Sequence, residues 1–239
     1  MMTRPRRFDA VLFDWDDTLC GAEPHRYAHA RDTARRFGVE LTMAEVYDAF
    51  RRAGDSTTGF WQSFADVLPG MLGIPREHHE DFILAFRERD TYKRFQLFDD
   101  VLEMIDHLGE HELRVGIISN NDEVAHHLQN LDVHHRFEIV VAPETFGIAK
   151  PEPGIFLRTM EQLGVEPERA LYVGDSFDND VIGARAAGLT PVLIDRFGIT
   201  LSPDELDGTH RVETLRHLRE LLDDLVYGCA ASPARANGA

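Results

Sequence analysis

The chain has 239 residues and a net charge of −17, from 42 acidic against 25 basic side chains. Its hydrophobic content of 43% is enough for a packed interior, and its length fits one large domain or a core with a modest insert. The acidic balance argues against nucleic acid or an anionic membrane as a partner, and no stretch approaches the ~20 apolar residues of a membrane span. The two cysteines, Cys20 and Cys229, form neither a metal-type spacing nor a disulfide framework, which favours a reducing, cytoplasmic setting.

The first predicted element is a short, buried parallel strand, Ala10–Phe13, that ends in a cluster of acids. Asp14, Asp16 and Asp17 crowd into four positions there. Side chains two apart in extended backbone point the same way, so Asp14 and Asp16 are predicted to converge. Like charges are costly to hold together unless a cation or a shared proton relieves them. A divalent metal such as Mg²⁺, which prefers hard oxygen ligands, would turn this cost into a binding site.

Residues 20–96 are predicted to be all-helical. The spacing of apolar residues predicts helices over 23–37, from Thr42 to about Ala53, over 60–71 and over 77–95, and no strand-like run is apparent between Leu19 and Phe98. An all-helical insert directly behind a strand that ends in carboxylates suggests a lid over the site.

From Phe98 onwards the predicted elements alternate between helices and strands. Strands are predicted at 114–118, 138–141, 170–173 and 191–194, with helices at about 99–109, 122–131, 151–163, from Asp178 or Asp180 to about 188, and 212–227. This alternation predicts a Rossmann-like α/β fold, with a parallel sheet and helices on both faces. We therefore expect residues 1–19 and 97–228 to form an α/β core domain, 20–96 a helical cap domain, and 229–239 a frayed tail.

Polar residues follow several of the predicted strands, where ligands of such sheets bind. Four motifs occur in chain order: Asp14-Trp15-Asp16-Asp17-Thr18, Ile118-Ser119-Asn120, Lys150-Pro151, and Gly174-Asp175-Ser176-Phe177-Asp178-Asn179-Asp180. Each motif alone is weak, because an Asp or Ser at a strand end is most often a turn or cap residue. Their ordered set, with a helical insert behind the first, resembles the haloacid dehalogenase (HAD) superfamily on its phosphatase branch, over roughly residues 8–198.

The resemblance implies a HAD fold and a role for each motif residue. Asp14 would be the nucleophile that forms an aspartyl-phosphate, and Asp16 the general acid and then base. Ser119 and Asn120 would bind the phosphoryl group, and Lys150 would neutralise its charge and that of the nucleophile.

The resemblance also implies Mg²⁺, held by Asp14, by the backbone carbonyl of Asp16 and by Asp175. The family's second acid of the last motif falls at Asp180, expected in the outer shell of the metal. Asp178 is the alternative, and a helix-capping role would explain it equally well.

The expected reaction is hydrolysis of a small soluble phosphate ester by a monomer or homodimer, and several alternatives stay open. On the same fold, a 2-haloacid dehalogenase would lack Asp16, and a sugar phosphomutase usually has Gly where this chain has Thr18. A receiver-like signalling module would place its lysine last, whereas Lys150 precedes Asp175 here. A catalytically silent binding protein is disfavoured because no motif residue is missing. Sugar phosphates, phosphoglycolate and nucleotide monophosphates all remain candidate substrates.

Overall fold

The computed structural model describes residues 7–55, 62–91, 94–198, 206 and 208–227. They fall into two compact units. The first, called the core unit, contains the residues up to Cys20, residues 97–198 and the described residues beyond them. The second, called the insert unit, contains the described residues from Gly21 to Gln96. The predicted tail at 229–239 lies outside the described residues.

Elements are numbered in chain order over the described residues. The strands are β1 (Ala10–Phe13), β2 (Cys20–Glu23), β3 (Arg94–Leu97), β4 (Arg114–Ile118), β5 (Ile139–Val141), β6 (Ala170–Gly174), β7 (Thr190–Ile194) and β8 (His210–Val212). The α-helices are α1 (Arg26–Arg36), α2 (Met43–Asp55), α3 (Gln62–Met71), α4 (His79–Arg87), α5 (Val101–Glu110), α6 (Val124–Asn130), α7 (Pro143–Phe146), α8 (Pro153–Leu163), α9 (Gly183–Ala186) and α10 (Leu215–Tyr227). Short 3₁₀ turns lie at 76–78, 88–91, 134–136 and 167–169, and a π-helical turn at Phe177–Ile182 leads into α9.

A six-stranded parallel sheet forms the centre of the core unit, in the order β5-β4-β1-β6-β7-β8. β1 lies between β4 and β6, so that Phe13 is in register with Ile117 on one side and Val173 on the other. Every residue of β1 and β6 is buried, as expected for apolar strands of a parallel sheet covered on both faces. The predicted α/β fold is confirmed.

One face of the sheet packs against α8 and α9. Leu12, Ile118 and Tyr172 on the strands share a hydrophobic cluster with Phe156 of α8 and Ala184 of α9. Successive strand residues point to opposite faces, so Val11 and Phe13 project to the other side. α5 contacts β4 and α10.

A buried ion pair joins four distant segments of the core unit. The Arg196 guanidinium donates to both carboxylate oxygens of Asp100, at 3.0 and 2.9 Å, and its Nε donates to the Thr18 carbonyl at 2.8 Å. Asp100 also accepts from the Leu215 N–H at 2.8 Å, at the start of α10. The loop after β7 and the starts of α5 and α10 are thereby tied to the acidic loop that follows β1.

Two predictions for the core unit were wrong in detail. Residue 212 ends the edge strand β8 and does not begin the last helix, which starts at Leu215. The helix predicted to open at Asp178 or Asp180 is opened by Ser176, whose hydroxyl accepts from the Asn179 N–H at 3.2 Å. Ser176 precedes the turn, so its hydroxyl oxygen can accept from an exposed N–H group. Asp178 and Asp180 lie inside the first turn and are not in the capping position.

The insert unit is mainly helical, but it is not all-helical as predicted. β2 and β3 pair with each other in a separate two-stranded sheet. The helix predicted over 77–95 ends at Arg87, and its last predicted residues belong to β3. The start of α2 is as predicted: Thr42 accepts from the Glu45 N–H at 3.2 Å, and Glu45 accepts from the Thr42 N–H at 2.7 Å, which is a capping box.

The helices of the insert unit enclose their own apolar core. Its buried members include Tyr27, Val46, Leu68 and Phe82, one from each of α1 to α4. None of the described helices has the length and apolarity needed to cross a lipid bilayer.

Candidate active site

The predicted site residues of the core unit lie at the carboxyl ends of the strands, as the parallel sheet requires. Asp14 directly follows β1, and its N–H donates to the Val173 carbonyl at 2.8 Å, which holds it against β6. Asp175 directly follows β6, and Ser119 directly follows β4. Lys150 lies between α7 and α8.

Among the described residues, one group of three carboxyl side chains is close enough to hold a metal ion. Oxygen atoms of Asp14, Asp175 and Asp180 all lie within 4.8 Å of one another. Asp14 and Asp180 are buried and Asp175 is half-buried. Asp178 and the carboxylate of Asp16 are not in the group.

The ammonium group of Lys150 connects this group to the strands. Its Nζ donates to Asp14 Oδ1 at 2.7 Å, to Asp180 Oδ1 at 2.6 Å and to the Tyr172 hydroxyl at 3.0 Å. The side chain is almost completely buried. Three carboxylates and one ammonium leave two negative charges, which a divalent cation would neutralise. The oxygen-only ligand set suits Mg²⁺.

Burial and neighbouring charges together set the pKa values of Asp14 and Lys150. Burial raises the pKa of Asp14 to about 7, against the lowering effect of Lys150, and the charges of Asp180 and Asp16 add to the rise. Burial alone would lower the pKa of Lys150, but Asp14 and Asp180 outweigh it and the pKa lies above its usual value. Lys150 therefore stays an ammonium ion, and a bound cation would favour the ionised form of Asp14.

Asn120 holds the backbone of Lys150 with both ends of its amide. Its Oδ1 accepts from the Lys150 N–H at 2.8 Å, and its Nδ2 donates to the Lys150 carbonyl at 2.9 Å. Asn120 therefore fixes the position of Lys150, and its Nδ2 keeps a second hydrogen that could donate to a phosphate.

Ser119 is fixed by backbone contacts and keeps its proton available. Its N–H donates to the Val141 carbonyl at 2.9 Å, and its Oγ accepts from the Asn121 N–H at 3.1 Å. Since Oγ is the acceptor in that contact, its own O–H can donate to a phosphoryl oxygen.

Asp16 lies in a tight turn that directly follows Asp14 in the chain. The Trp15 carbonyl accepts from the N–H groups of Leu19 and Cys20, at 3.0 and 2.9 Å, and Asp17 adopts a left-handed φ of 58°. Trp15 is fully buried, whereas Asp16 is half-buried and receives a hydrogen bond from Asn121.

Asp180 contacts both Lys150 and the backbone of the turn after β6. Its Oδ1 bonds to Lys150 and its Oδ2 accepts from the Ser176 N–H at 2.9 Å. The close approach of its carboxyl group to β6 is possible because Gly174 has no side chain: a Cβ there would overlap the Asp180 carboxyl. Asp178 is half-buried and does not cap the turn.

Two residues that contact the motif residues were not predicted. The Tyr172 hydroxyl donates to the Ile118 carbonyl at 2.7 Å and accepts from Lys150, and burial raises the pKa of Tyr172 well above its usual value. The visible signal was a tyrosine inside an otherwise aliphatic buried strand, since a buried hydroxyl requires a partner. Asn121 was visible only as the residue after the Ser119-Asn120 pair.

Comparisons with known proteins agree with the motifs. A family model described as haloacid dehalogenase-like hydrolase matches residues 11–194. A glyceraldehyde 3-phosphate phosphatase from Methanopyrus kandleri is 31% identical over 78% of this chain and 84% of its own length. Phosphoglycolate phosphatase 1 from Pseudomonas aeruginosa is 32% identical over 75% of this chain and 66% of its own.

A solved HAD family hydrolase from Deinococcus radiodurans, with bound phosphate and sodium, shares the fold. It superposes with a TM-score of 0.68 over 93% of this chain and 97% of that one, at 23% identity. The family predicted from the four motifs is confirmed: the chain belongs to the haloacid dehalogenase-like hydrolases, on the phosphatase branch of that superfamily.

Proposed function

We propose that this enzyme is a Mg²⁺-dependent phosphatase that hydrolyses a small phosphomonoester through an aspartyl-phosphate on Asp14. The observation that carries the proposal is the buried ammonium of Lys150, joined to Asp14 and Asp180 beside a group of three carboxylates. A purely structural site would not place three carboxyl groups together at the carboxyl ends of strands, because their repulsion destabilises the fold.

The first step transfers the phosphoryl group to the protein. A carboxylate oxygen of Asp14 attacks phosphorus, and the bond from phosphorus to the alcohol oxygen breaks. Asp16 gives its proton to the departing alcohol. The positive charge of Lys150 stabilises the charge on the phosphoryl oxygens electrostatically, and the Ser119 hydroxyl does so by donating a hydrogen bond.

The second step releases phosphate. Asp16, now a carboxylate, takes a proton from water, and the oxygen of that water attacks phosphorus. The bond from phosphorus to Asp14 breaks, so that phosphate leaves and the Asp14 carboxylate is restored. The proton taken from water leaves Asp16 in its acid form for the next turnover.

Asp14, Asp175 and the backbone carbonyl of Asp16 would hold Mg²⁺, with Asp180 as a further carboxylate beside them. When bound, the cation would offset the repulsion between the Asp14 carboxylate and an anionic phosphate ester. Asp180 also anchors Lys150, whose ammonium group contacts Oδ1 of both Asp180 and Asp14.

The relatives named as phosphatases of glyceraldehyde 3-phosphate and phosphoglycolate support a small phosphorylated metabolite as substrate. We propose the insert unit as the cap that selects the leaving group. A 2-haloacid dehalogenase is disfavoured because a halide leaves without a proton, so the reaction would not use Asp16 as a general acid.

The test is release of p-nitrophenol from p-nitrophenyl phosphate by the purified protein with Mg²⁺. Steady turnover that stops with EDTA and returns with added Mg²⁺ is expected. Asp14→Asn should abolish it, while Asp132→Asn, an exposed residue in a left-handed turn that asparagine tolerates, should not. Turnover by Asp14→Asn would remove the nucleophile assignment, and a single burst without turnover would favour a phospho-accepting module. A screen of phosphorylated metabolites, with Asp14→Asn as the blank, then identifies the substrate.

A further inference from the structure

Asn121 uses three of its polar groups in hydrogen bonds that join two motifs of the core unit. Its backbone N–H donates to Ser119 Oγ at 3.1 Å, and its Oδ1 accepts from the Glu123 N–H at 2.9 Å. Its Nδ2 donates to the Asp16 carboxylate, at 3.0 Å to Oδ2 and 3.4 Å to Oδ1. Asp16 and Asn121 are 105 residues apart in the chain.

The orientation of the Asn121 amide follows from its neighbours. The Glu123 N–H is a donor, so it must face the amide oxygen, and the amide nitrogen must then face Asp16. An Asn side chain that bonds to the backbone two residues on forms an Asx turn, which restricts its rotation. The N–H donor that faces Asp16 is therefore held in place before any substrate binds.

We propose that Asn121 is a positioning residue for the leaving-group step: its amide orients the Asp16 carboxyl for proton transfer to the departing alcohol. Nδ2 contacts both oxygens of that carboxyl group, at 3.0 Å to Oδ2 and 3.4 Å to Oδ1, and so restricts its rotation. Asn121 is the donor in its contact with Ser119 Oγ, so the Ser119 O–H can still donate to the phosphoryl group. The inference rests on the proposed function, since it assigns a residue to that reaction.

Leaving groups separate this role from a structural one. A weakly basic leaving group, such as p-nitrophenolate, departs without help, whereas phenolate and methoxyphenolate need the proton in the transition state. kcat/KM reports the first irreversible step, transfer to Asp14, and excludes the later hydrolysis. Loss of the Asn121 amide should therefore lower kcat/KM more for the poorer leaving groups.

The experiment measures kcat/KM for a series of substituted phenyl phosphates, which differ little in size, in the presence of Mg²⁺. Asn121→Ser removes the amide donor but keeps an oxygen able to accept from the Glu123 N–H. We expect it to lower kcat/KM for phenyl phosphate about 10-fold more than for p-nitrophenyl phosphate, which is less than the roughly 10²–10⁴-fold contribution of general acid catalysis because the acid itself is retained. Asp122→Ala is the matched control, because Asp122 is in the same turn and accepts from the Glu144 N–H at 3.1 Å. Asp122→Ala should lower kcat/KM equally for all substrates or leave it unchanged.

A double variant tests whether Asn121 acts through Asp16. In an Asp16→Asn background, Asn121→Ser should cause no further leaving-group-dependent loss, because the group that it orients no longer carries the proton. The same extra loss in both backgrounds would overturn the inference, and so would an equal loss across the series in the single variant. Thermal unfolding of each variant identifies one that does not fold, and Asn121→Ala then replaces Asn121→Ser.

Failure of the proposed function has a different signature. If the wild-type protein turns over none of the phenyl phosphates with Mg²⁺, the phosphatase assignment falls and the role of Asn121 falls with it. If the wild type turns over the series but the variant retains the same dependence on leaving group, only the role of Asn121 is overturned.

Discussion

The ammonium group of Lys150 has three hydrogens, and three acceptors lie within hydrogen-bonding distance: Asp14, Asp180 and the Tyr172 hydroxyl. A buried lysine is tolerated only when its charge is paired and its donors are satisfied. The Tyr172 hydroxyl accepts from the third Lys150 hydrogen without adding a negative charge. It can do so because its own proton goes to the Ile118 carbonyl at 2.7 Å, which leaves a lone pair for Lys150.

Tyr172→Phe should therefore affect both stability and turnover. The ring packs edge-on against Phe156, with centroids 5.0 Å apart, and phenylalanine preserves that contact. The Ile118 carbonyl and one Lys150 hydrogen lose their partner, which should cost about 1–3 kcal/mol of unfolding free energy, measured by urea denaturation. We also expect a lower kcat, because Lys150 loses one of three contacts that fix it against Asp14.

Thr159→Val is the matched control for that variant. It removes another fully buried hydroxyl, which donates only to the Ile155 carbonyl one turn earlier in α8, at 2.7 Å. It should leave kcat unchanged. If Tyr172→Phe behaves in the same way, the hydroxyl contributes nothing to the position of Lys150.

The sequence was sufficient to find the motif residues but not the residues that hold them. Asp14, Ser119 and Lys150 were recognised because each follows a predicted strand in a known order. Tyr172 and Asn121 act on partners 54 and 105 residues away, the Ile118 carbonyl and Asp16. Such contacts depend on which strands are neighbours in the sheet and on side-chain direction, neither of which a local pattern contains.

At the scale of elements, the end of β6 and the turn that follows it are built around one close approach. Gly174 ends β6, and the Asp180 carboxyl lies where its side chain would be. The Ser176 N–H then bonds to Asp180 Oδ2, which closes the turn over the strand end. Asp180, five residues after Asp175, therefore joins the group of three carboxylates by folding back over a glycine.

Gly174→Ala should consequently disturb Asp180 more than a usual Gly-to-Ala change. Relief of the overlap requires movement of Asp180 or of β6, and overpacking of this kind costs about 1–3 kcal/mol. We expect lower stability in urea denaturation together with weaker Mg²⁺ activation, measured as a higher Mg²⁺ concentration at half-maximal rate.

Gly109→Ala supplies the contrast. Gly109 lies in α5, and a Cβ there would have no atom within 4 Å. Alanine should raise stability by about 0.5–1 kcal/mol, because it loses less backbone entropy on folding. A Gly174→Ala protein as stable and as easily activated as the Gly109→Ala protein would show that the close approach is unimportant.

Long apolar runs were predictable as elements, while short or polar ones were not. β4 and β6 are buried throughout except for Arg114, and both were predicted within one residue. β2 has the sequence Cys-Gly-Ala-Glu, with no β-branched or aromatic residue, so its strand conformation comes from pairing with β3. The alternating sequence Arg-Phe-Gln-Leu of β3 was a usable signal, but the preceding helical pattern hid it.

At the scale of the molecule, the position of the site follows from the order of the sheet. β1 lies between β4 and β6. The chain adds β4 and β5 on one side of β1, and then β6, β7 and β8 on the other side. The carboxyl ends of β1, β4 and β6 carry Asp14, Ser119 and Asp175. The alternation of helices and strands predicted a parallel sheet, but the central place of β1 became visible only in the structure. A site at such a switch point is the general rule for open α/β sheets.

The net charge of −17 acts on every anionic substrate that approaches. Long-range repulsion slows the encounter of like charges and is screened by salt. Raising KCl from about 0.01 to about 0.15 M shortens the Debye length from about 30 to about 8 Å, so kcat/KM for a phosphate ester should rise at saturating Mg²⁺. Sucrose at matched viscosity controls for diffusion and should not raise it. A fall of kcat/KM with KCl would mean that local positive charge at the site, from Lys150 and Mg²⁺, outweighs the acidic surface during the encounter.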